Sequence, residues 1–195
     1  MTSALEPGPF IQTLSGRRVN PLDAAPEDID PADIARALAN TCRFGGHSRA
    51  FYSVAQHSAI VADLLEQAGA TPDELMAALL HDAAEAYLGD LPHPIKHRSE
   101  LGAHFKQAEK RLEAVIERRF ELPDAAARIK AIDRALLATE RRRFSRVTWN
   151  WPELEGVEPL DIEIEPWPPP RAAHEFLERY ERLQARRGAS PPPRA

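Results

Sequence analysis

Cysteine is almost absent from the sequence, because Cys42 is the only one among 195 residues. A single thiol cannot form an intramolecular disulfide, which excludes a disulfide-stabilised secreted domain and favours a reducing cytoplasm as the compartment. We interpret Cys42 as a small buried hydrophobe rather than as a catalytic thiol.

Long hydrophobic runs and an excess of basic residues are missing as well. No apolar run approaches the roughly 20 residues of a membrane-spanning helix. The first residues, MTSALEPGPF, show neither the basic nor the apolar region of a secretory signal. The chain carries 25 Lys and Arg against 30 Asp and Glu, a net charge of -5 that argues against a broad surface for nucleic acid. We therefore expect neither a membrane partner nor a nucleic-acid polymer as partner.

Hydrophobic residues make up 43% of the chain, enough for one well-buried domain, and they recur mostly at helical spacing. Asp30 followed by Pro31 predicts one helix start, and Thr71 with Glu74 predicts another through a capping box. The predicted helices run from Asp30, from Ala50 to about Glu66, from Thr71 to Gly89, from about Glu100 to Arg119, from about Asp124 to Arg143, and over AAHEFLERYERLQARR. These patterns predict an all-α fold with a single helical bundle.

One segment near the C-terminal end departs from helical spacing. Leu160, Ile162 and Ile164 alternate as in a strand, so either a short β-hairpin or an irregular excursion of the chain is expected there. The sequence divides into an N-terminal extension over 1–29, one domain over 30–187 with its core in 30–143, and a disordered Pro-rich tail over 188–195.

Polar groups interrupt the apolar faces of three predicted helices. His57 lies on one such face, His81 with Asp82 on a second, and Asp133 on a third. Burying unpaired carboxylates is costly, and a bound divalent cation removes that cost. Two imidazoles and two carboxylates suit cobalt, manganese, iron, zinc or nickel, with positions left for water and substrate.

Each of these residues also has an ordinary explanation when it is taken alone. An inward His57 is most often a hydrogen-bonded core histidine, and Asp133 can pair with Lys130 or Arg134. Their joint occurrence on three apolar faces favours the metal site.

Further charged residues surround these four. Glu85, three residues after Asp82, can stand beside a water as a base, or it is a solvated glutamate at a helix end. Asp90 either stabilises its loop, holds the nucleophile or protonates a leaving oxygen. Arg43 and Lys96 are candidate phosphate binders, with ordinary surface charge as the alternative.

The whole set resembles the HD-domain metal-dependent phosphohydrolases. The similarity lies in SVAQHSAIVADLL around His57, LLHDAAEAYLGDLPHPIK around His81 and Asp82, and IKAIDRALLATE around Asp133. HDAAEAYLGDLPHPIK is similar to the deoxynucleotidase branch, and phage deoxynucleoside triphosphate triphosphohydrolases are also similar. The resemblance covers roughly residues 30–143 and implies an all-α HD-domain bundle.

The resemblance also implies roles for individual residues. His57, His81, Asp82 and Asp133 would hold one divalent ion (cobalt, manganese, zinc, iron, nickel or magnesium), Glu85 would serve catalysis, and Asp90 would support it. Arg43 matches an upstream arginine only loosely. Gln56 stands where relatives often have an acidic residue, so the hydrogen bonding around the site is expected to differ. Extra histidines occur at His93, His97 and His104, but GDLPHPIK follows the branch with one metal.

The activity implied by the resemblance is that of a metal-dependent, nucleotidase-like phosphohydrolase. It would release phosphate from (deoxy)nucleoside monophosphates by attack of a metal-bound water. Two alternatives stay open, a (deoxy)nucleoside triphosphate triphosphohydrolase and a catalytically silent nucleotide-binding module. The expected partner is a nucleotide substrate, and whether the chain forms a homo-oligomer is left open.

Overall fold

A computed structural model describes residues 8–189 of the chain, and within them the protein is built almost entirely from helices. Their bounds are α1 Pro31–Asn40, α2 Val54–Gln67, α3 Pro72–Leu79, α4 Glu85–Leu88, α5 His93–Arg98, α6 Glu100–Phe120, α7 Ala126–Phe144 and α8 Pro169–Ala189. Two short strands, β1 Ile11–Gln12 and β2 Arg18–Val19, pair antiparallel with Ile11 opposite Val19. Single 3-10 turns occur at Pro26–Asp28, Arg43–Gly46 and Pro152–Leu154. The predicted all-α fold is confirmed.

Local sequence signals explain where the helices begin. Asp30 accepts a 2.9 Å hydrogen bond from the amide of Ala32 and caps α1. Thr71 and Glu74 form the predicted capping box of α3. Helix α2 begins at Val54 rather than near Ala50, because Ser53 caps it. Such caps satisfy amide groups that have no partner inside the helix.

The core lies where the last helix crosses the first three. Helix α8 packs against α1, α2 and α3, and its Phe176 and Leu183 are buried with Leu38 and Leu75. The segment before α1 also contributes, since Val19 is buried. Ser15 fastens that segment to α1 by hydrogen bonds of 2.8 and 2.6 Å to the carboxylate of Asp33.

Of the two alternatives for the segment before α8, the structure shows the irregular excursion and not the β-hairpin. The two paired strands lie near the N-terminal end, and residues 157–166 form no strand. Helix side chains bind this extended segment instead: Arg143 donates to the carbonyl of Ile164 at 3.2 Å, and Gln56 donates to that of Glu165 at 2.7 Å. The alternation of apolar residues therefore reflects an extended chain lying on a helical surface.

The helix predicted from Thr71 to Gly89 is interrupted. Helix α3 ends at Leu79 and α4 begins at Glu85, with a turn between them that contains His81 and Asp82. Adjacent residues in an unbroken helix point about 100° apart. Because His81 and Asp82 lie in a turn, this helical angle does not fix the relative directions of their side chains.

Residues 93–98, which follow the Pro-rich loop, form the short helix α5. It packs so closely on α6 that a side chain at Gly102 would overlap the carbonyl oxygens of Ile95 and Lys96. The close packing of α5 on α6 therefore requires glycine at this position.

Two sequence-based predictions concern the ends of the chain. Helix α8 continues through Ala189, and residues 190–195 of the predicted tail lie outside the described part of the chain. The domain boundaries stay predictions. In residues 8–189, no helix combines the length and the apolar character needed to cross a membrane.

Candidate active site

The four predicted metal ligands come together from three parts of the fold. His57 lies on α2, His81 and Asp82 lie in the turn between α3 and α4, and Asp133 lies on α7. Nε2 of His57 is 3.1 Å from Oδ1 of Asp133 and 3.8 Å from Oδ2 of Asp82. Nε2 of His81 is 3.2 Å from the same Asp82 oxygen. His57, His81 and Asp82 place possible ligand atoms within 4.8 Å of one another, and Asp133 adjoins this group through its contact to His57. These four residues are called the ligand cluster below.

Each imidazole of the ligand cluster has a partner at Nδ1 and directs Nε2 toward a carboxylate. Nδ1 of His81 donates to the carbonyl of Ala78 at 2.7 Å, and Nδ1 of His57 lies 2.6 Å from Oε1 of Glu140. Both Nε2 atoms are buried, and neither has a hydrogen-bond partner within residues 8–189. An imidazole that donates from Nδ1 presents a lone pair at Nε2, which is the arrangement of a metal-binding histidine. The donor set therefore fits a divalent cation.

The electrostatics of the ligand cluster favour positive charge. Burial lowers the pKa of His81, but the neighbouring Asp82 outweighs burial and raises that pKa to about 9. Burial raises the pKa of Asp82, yet His81, His57 and Arg43 together hold it well below its usual range. Because a bound metal takes the place of such protons, this negative environment also suits a cation.

The predicted catalytic carboxylates lie beside the ligand cluster. Glu85 is the first residue of α4, and its Oε2 is buried without a hydrogen-bond partner in the described part of the chain. Burial raises the pKa of Glu85 to about 9, and the charges of Asp82 and Asp90 add to this effect. Asp90 is exposed and follows Gly89, whose φ of 79° turns the chain out of α4. The charge of Asp90 acts on Glu85, so these two carboxylates lie near each other.

Arg43 and Lys96, the predicted phosphate binders, differ in their surroundings. Arg43 donates from Nη2 to Oε2 of Glu140 at 2.9 Å, and its Nη1 is 3.8 Å from Asp82. Its Nε is buried and has no hydrogen-bond partner among residues 8–189. Lys96 on α5 is paired with Glu109 at 2.7 Å. The structure thus brings Arg43 to the cluster with a donor to spare, whereas Lys96 has an acidic partner.

A strained turn positions Arg43. The next residue, Phe44, has a φ of 59°, a left-handed conformation that is uncommon outside glycine, and Gly45 follows with a φ of 58°. The amide of Arg43 donates to the carbonyl of Tyr52 at 2.8 Å, which fixes the start of the turn. Backbone strain of this kind persists only where surrounding contacts hold it in place.

Glu140 was not predicted from the sequence. Its side chain is 0% exposed. Besides contacting His57 and Arg43, it accepts a 2.8 Å hydrogen bond from the hydroxyl of Tyr52. Glu140 follows Asp133 by seven residues on α7 and therefore shares its helix face. Leu136, which is buried, lies between the two on the same helix face. The position of Glu140 on this face is the sequence signal that could have identified it.

The other unusual residues of the sequence lie apart from the ligand cluster. Gln56 points to the C-terminal segment, where it bonds to Glu165 and accepts from the amide of Trp167 at 2.8 Å. The rings of His93 and His97 lie 4.4 Å apart on α5, and His104 is exposed on α6. In the part of the chain that the structure describes, these three histidines do not join the group formed by His57, His81 and Asp82.

A cleft of about 730 Å³ opens from the ligand cluster between α6 and α7. His81 and Asp133 line it where it meets the cluster, and Leu80, Ile116 and Ile129 form apolar walls. Charged residues also line it, namely Glu113, Glu117, Asp124 and Lys130. A cleft of this size and mixed lining is typical of small-molecule sites.

Comparisons with known proteins agree with this geometry. A family model described as 5'-deoxynucleotidase YfbR-like matches residues 40–137. The chain is 38% identical over 177 residues to the uncharacterized protein YfdR of Escherichia coli (strain K12), covering 89% of this chain and 95% of that protein. It is 35% identical over 176 residues to an uncharacterized protein of Rhodobacter capsulatus, covering 82% and 89%. The segment matched by the family model contains the ligand cluster and ends before Glu140.

Proposed function

Because the chain belongs to the YfbR-like family of HD-type phosphohydrolases, we propose that it releases phosphate from a (deoxy)nucleoside monophosphate in a metal-dependent reaction. The observation that carries the proposal is the ligand cluster itself. Two buried imidazoles direct unpartnered Nε2 atoms toward two carboxylates, although these four residues come from three separate parts of the fold. A helical protein without a ligand gives no reason for this arrangement.

His57, His81, Asp82 and Asp133 would hold one divalent cation. When bound, such an ion lowers the pKa of a coordinated water and polarises the phosphoryl group. The nitrogen and oxygen donors fit cobalt, manganese, iron, zinc or nickel, and magnesium is the remaining candidate.

Glu85 would orient the attacking water and take its proton. Its buried Oε2 has no hydrogen-bond partner in residues 8–189, so it can accept one from water. Without a metal, burial and neighbouring charges raise the pKa of Glu85 to about 9 and keep it protonated at neutral pH. The charge of a bound cation would lower that pKa, so that Glu85 is ionised and can act as the base. Asp90, whose charge acts on Glu85, would support this water or protonate the leaving oxygen.

Arg43 would bind the phosphate directly, because its Nη1 lies 3.8 Å from Asp82 of the ligand cluster and its Nε has no hydrogen-bond partner in residues 8–189. Lys96 would add positive charge from α5 while it stays paired with Glu109. The charges that lower the pKa of Glu85 are those of Arg43 and Lys96. A monophosphate is the preferred substrate because the matching family model is described as a 5'-deoxynucleotidase.

The cleft between α6 and α7 would receive the nucleoside. It begins at His81 and Asp133, so a substrate whose phosphate lies at the cluster can extend its sugar and base between apolar walls. This arrangement supports a nucleotide substrate rather than a bare phosphate ester.

The test is to incubate the metal-stripped protein with cobalt, manganese or magnesium and a panel of nucleoside mono- and triphosphates. The proposal predicts phosphate release from monophosphates only, and only with metal. Release of intact triphosphate would assign a triphosphohydrolase instead, and no product with any metal would indicate a binding module. Asp161→Asn, which changes an exposed carboxylate, serves as the control variant and should keep full activity.

A further inference from the structure

We propose that Glu140 is a positioning residue that orients His57 for the metal and Arg43 for phosphate, so that both binding events depend on one buried carboxylate. The inference rests on the proposed function, because it assumes that the ligand cluster binds a metal and that Arg43 binds phosphate. Glu140 lies outside the segment that the family model matches.

The two oxygens of Glu140 serve different groups. Oε1 is 2.6 Å from Nδ1 of His57 and accepts from the Tyr52 hydroxyl at 2.8 Å, whereas Oε2 accepts from Nη2 of Arg43 at 2.9 Å. The side chain is 0% exposed, so these three protein groups take the place of water. A buried carboxylate with three such donors is held in one position.

The contact to Oε1 determines how His57 meets the ligand cluster. With its proton held at Nδ1, His57 presents the lone pair of Nε2 toward Asp133 and Asp82, at 3.1 and 3.8 Å. Without the acceptor, the imidazole could carry its proton on Nε2 or rotate away from the cluster. Removal of such an outer partner typically lowers metal affinity about 10–100-fold.

The contact to Oε2 determines where the charge of Arg43 lies. The guanidinium is held between Glu140 at 2.9 Å and Asp82 at 3.8 Å. If Glu140 released it, the guanidinium could close on Asp82 and compete with a cation for that carboxylate. Loss of Glu140 should therefore weaken phosphate binding through Arg43 and weaken metal binding a second time through Asp82.

Tyr52 provides a matched comparison. Its hydroxyl bonds to the same Oε1, while its ring stacks on Phe144 with centroids 4.6 Å apart. Tyr52→Phe removes one buried hydrogen bond from Glu140 and leaves the contacts to His57 and Arg43 in place. Glu140→Gln has nearly the same volume but only one oxygen, so it cannot accept from both His57 and Arg43.

The experiment measures binding to the full-length, metal-stripped protein by calorimetry, with cobalt alone and with inorganic phosphate alone. Glu140→Gln is expected to lower the cobalt affinity about 10–100-fold and to lower the phosphate affinity as well. Tyr52→Phe removes one of the three donors and leaves the contacts to His57 and Arg43, so it is expected to lower both affinities by less than Glu140→Gln does. Asp161→Asn, which changes an exposed carboxylate, is the control that should keep both affinities. Unchanged binding in Glu140→Gln would overturn the inference, and so would equal losses in Tyr52→Phe.

A measurement on the wild type keeps the inference testable if Glu140→Gln does not fold. In the zinc-loaded protein with nitrogen-15 histidine, NMR should show the Nδ1 proton of His57 shifted downfield by its hydrogen bond to a carboxylate, and a proton on Nε2 would contradict the inference. A wild type that binds no cobalt would instead refute the proposed function. A wild type that binds cobalt and hydrolyses nucleotides, together with an unaffected Glu140→Gln, would refute only the role of Glu140.

Discussion

Replacement of Glu85 by glutamine separates catalysis from metal binding. The change preserves the shape of the side chain and removes its ability to take a proton. Glu85 is not in the ligand cluster, so Glu85→Gln should bind cobalt with wild-type stoichiometry. Because Oε2 of Glu85 is buried without a hydrogen-bond partner in residues 8–189, the neutral amide replaces no bond that holds the fold together.

The expected loss of rate follows from the role of a general base. Proton transfer by a positioned side chain contributes typically about 100- to 10,000-fold, which corresponds to about 3–5 kcal/mol of transition-state stabilisation. We therefore expect kcat of Glu85→Gln to fall by that factor while KM changes little.

The stability of Glu85→Gln should not fall together with its kcat. Folding raises the pKa of Glu85 from 4.5 to about 9, chiefly through burial. Between these pH values the folded protein holds a proton that the unfolded chain has released, so this carboxyl group reduces stability as the pH rises. Glutamine lacks this effect, and Glu85→Gln should be at least as stable as the wild type at pH 7.

The assay combines steady-state phosphate release with cobalt calorimetry and thermal unfolding of the metal-stripped protein. Glu163→Gln, at an exposed position, is the control for removing a glutamate charge. Wild-type kcat in Glu85→Gln would refute its role as the base. Loss of cobalt binding in that variant would show that Glu85 acts as a ligand instead.

Three further predictions concern other parts of the molecule. Asp133→Asn should lose bound metal and activity together, and elemental analysis showing full metal content would contradict its role as a ligand. Gly102→Ala should lower stability by about 1–3 kcal/mol in denaturant unfolding, since its Cβ would overlap the carbonyl oxygens of Ile95 and Lys96; unchanged stability would show that α5 can shift freely. Burial raises the pKa of Asp33, but hydrogen bonds from the N-terminal segment outweigh burial and lower it. The ionised carboxylate therefore stabilises the fold above about pH 4 and loses this effect as the pH falls through the lowered pKa. Asp33→Asn should flatten the acid side of the stability profile, and a profile that keeps the wild-type slope would contradict this.

The helical framework was predictable because its signals are local. Asp30 and the Thr71–Glu74 capping box fix helix starts within a few residues of sequence. His57 and Asp133 stood out because each interrupts an apolar helix face. The structure brings both together with the His-Asp pair, as the faces of the predicted helices imply.

The features that were missed depend on contacts between distant segments. The extended segment around Ile164 is held by Arg143 and Gln56 rather than by a second strand, so alternation alone could not decide between a hairpin and an irregular excursion. Glu140 joins α7 to Arg43 and Tyr52, which lie 97 and 88 residues earlier in the chain. No local pattern marks that pairing. The cleft likewise arises only when α6 and α7 are packed beside the ligand cluster.

The central claim is that His57, His81, Asp82 and Asp133 hold one divalent cation. Anomalous diffraction from crystals grown with cobalt tests this most directly, because it locates the ion without reference to activity. The account predicts one strong peak per chain, within bonding distance of both Nε2 atoms and of both aspartates. A cluster without a peak at saturating cobalt, or a peak on other residues, would contradict it.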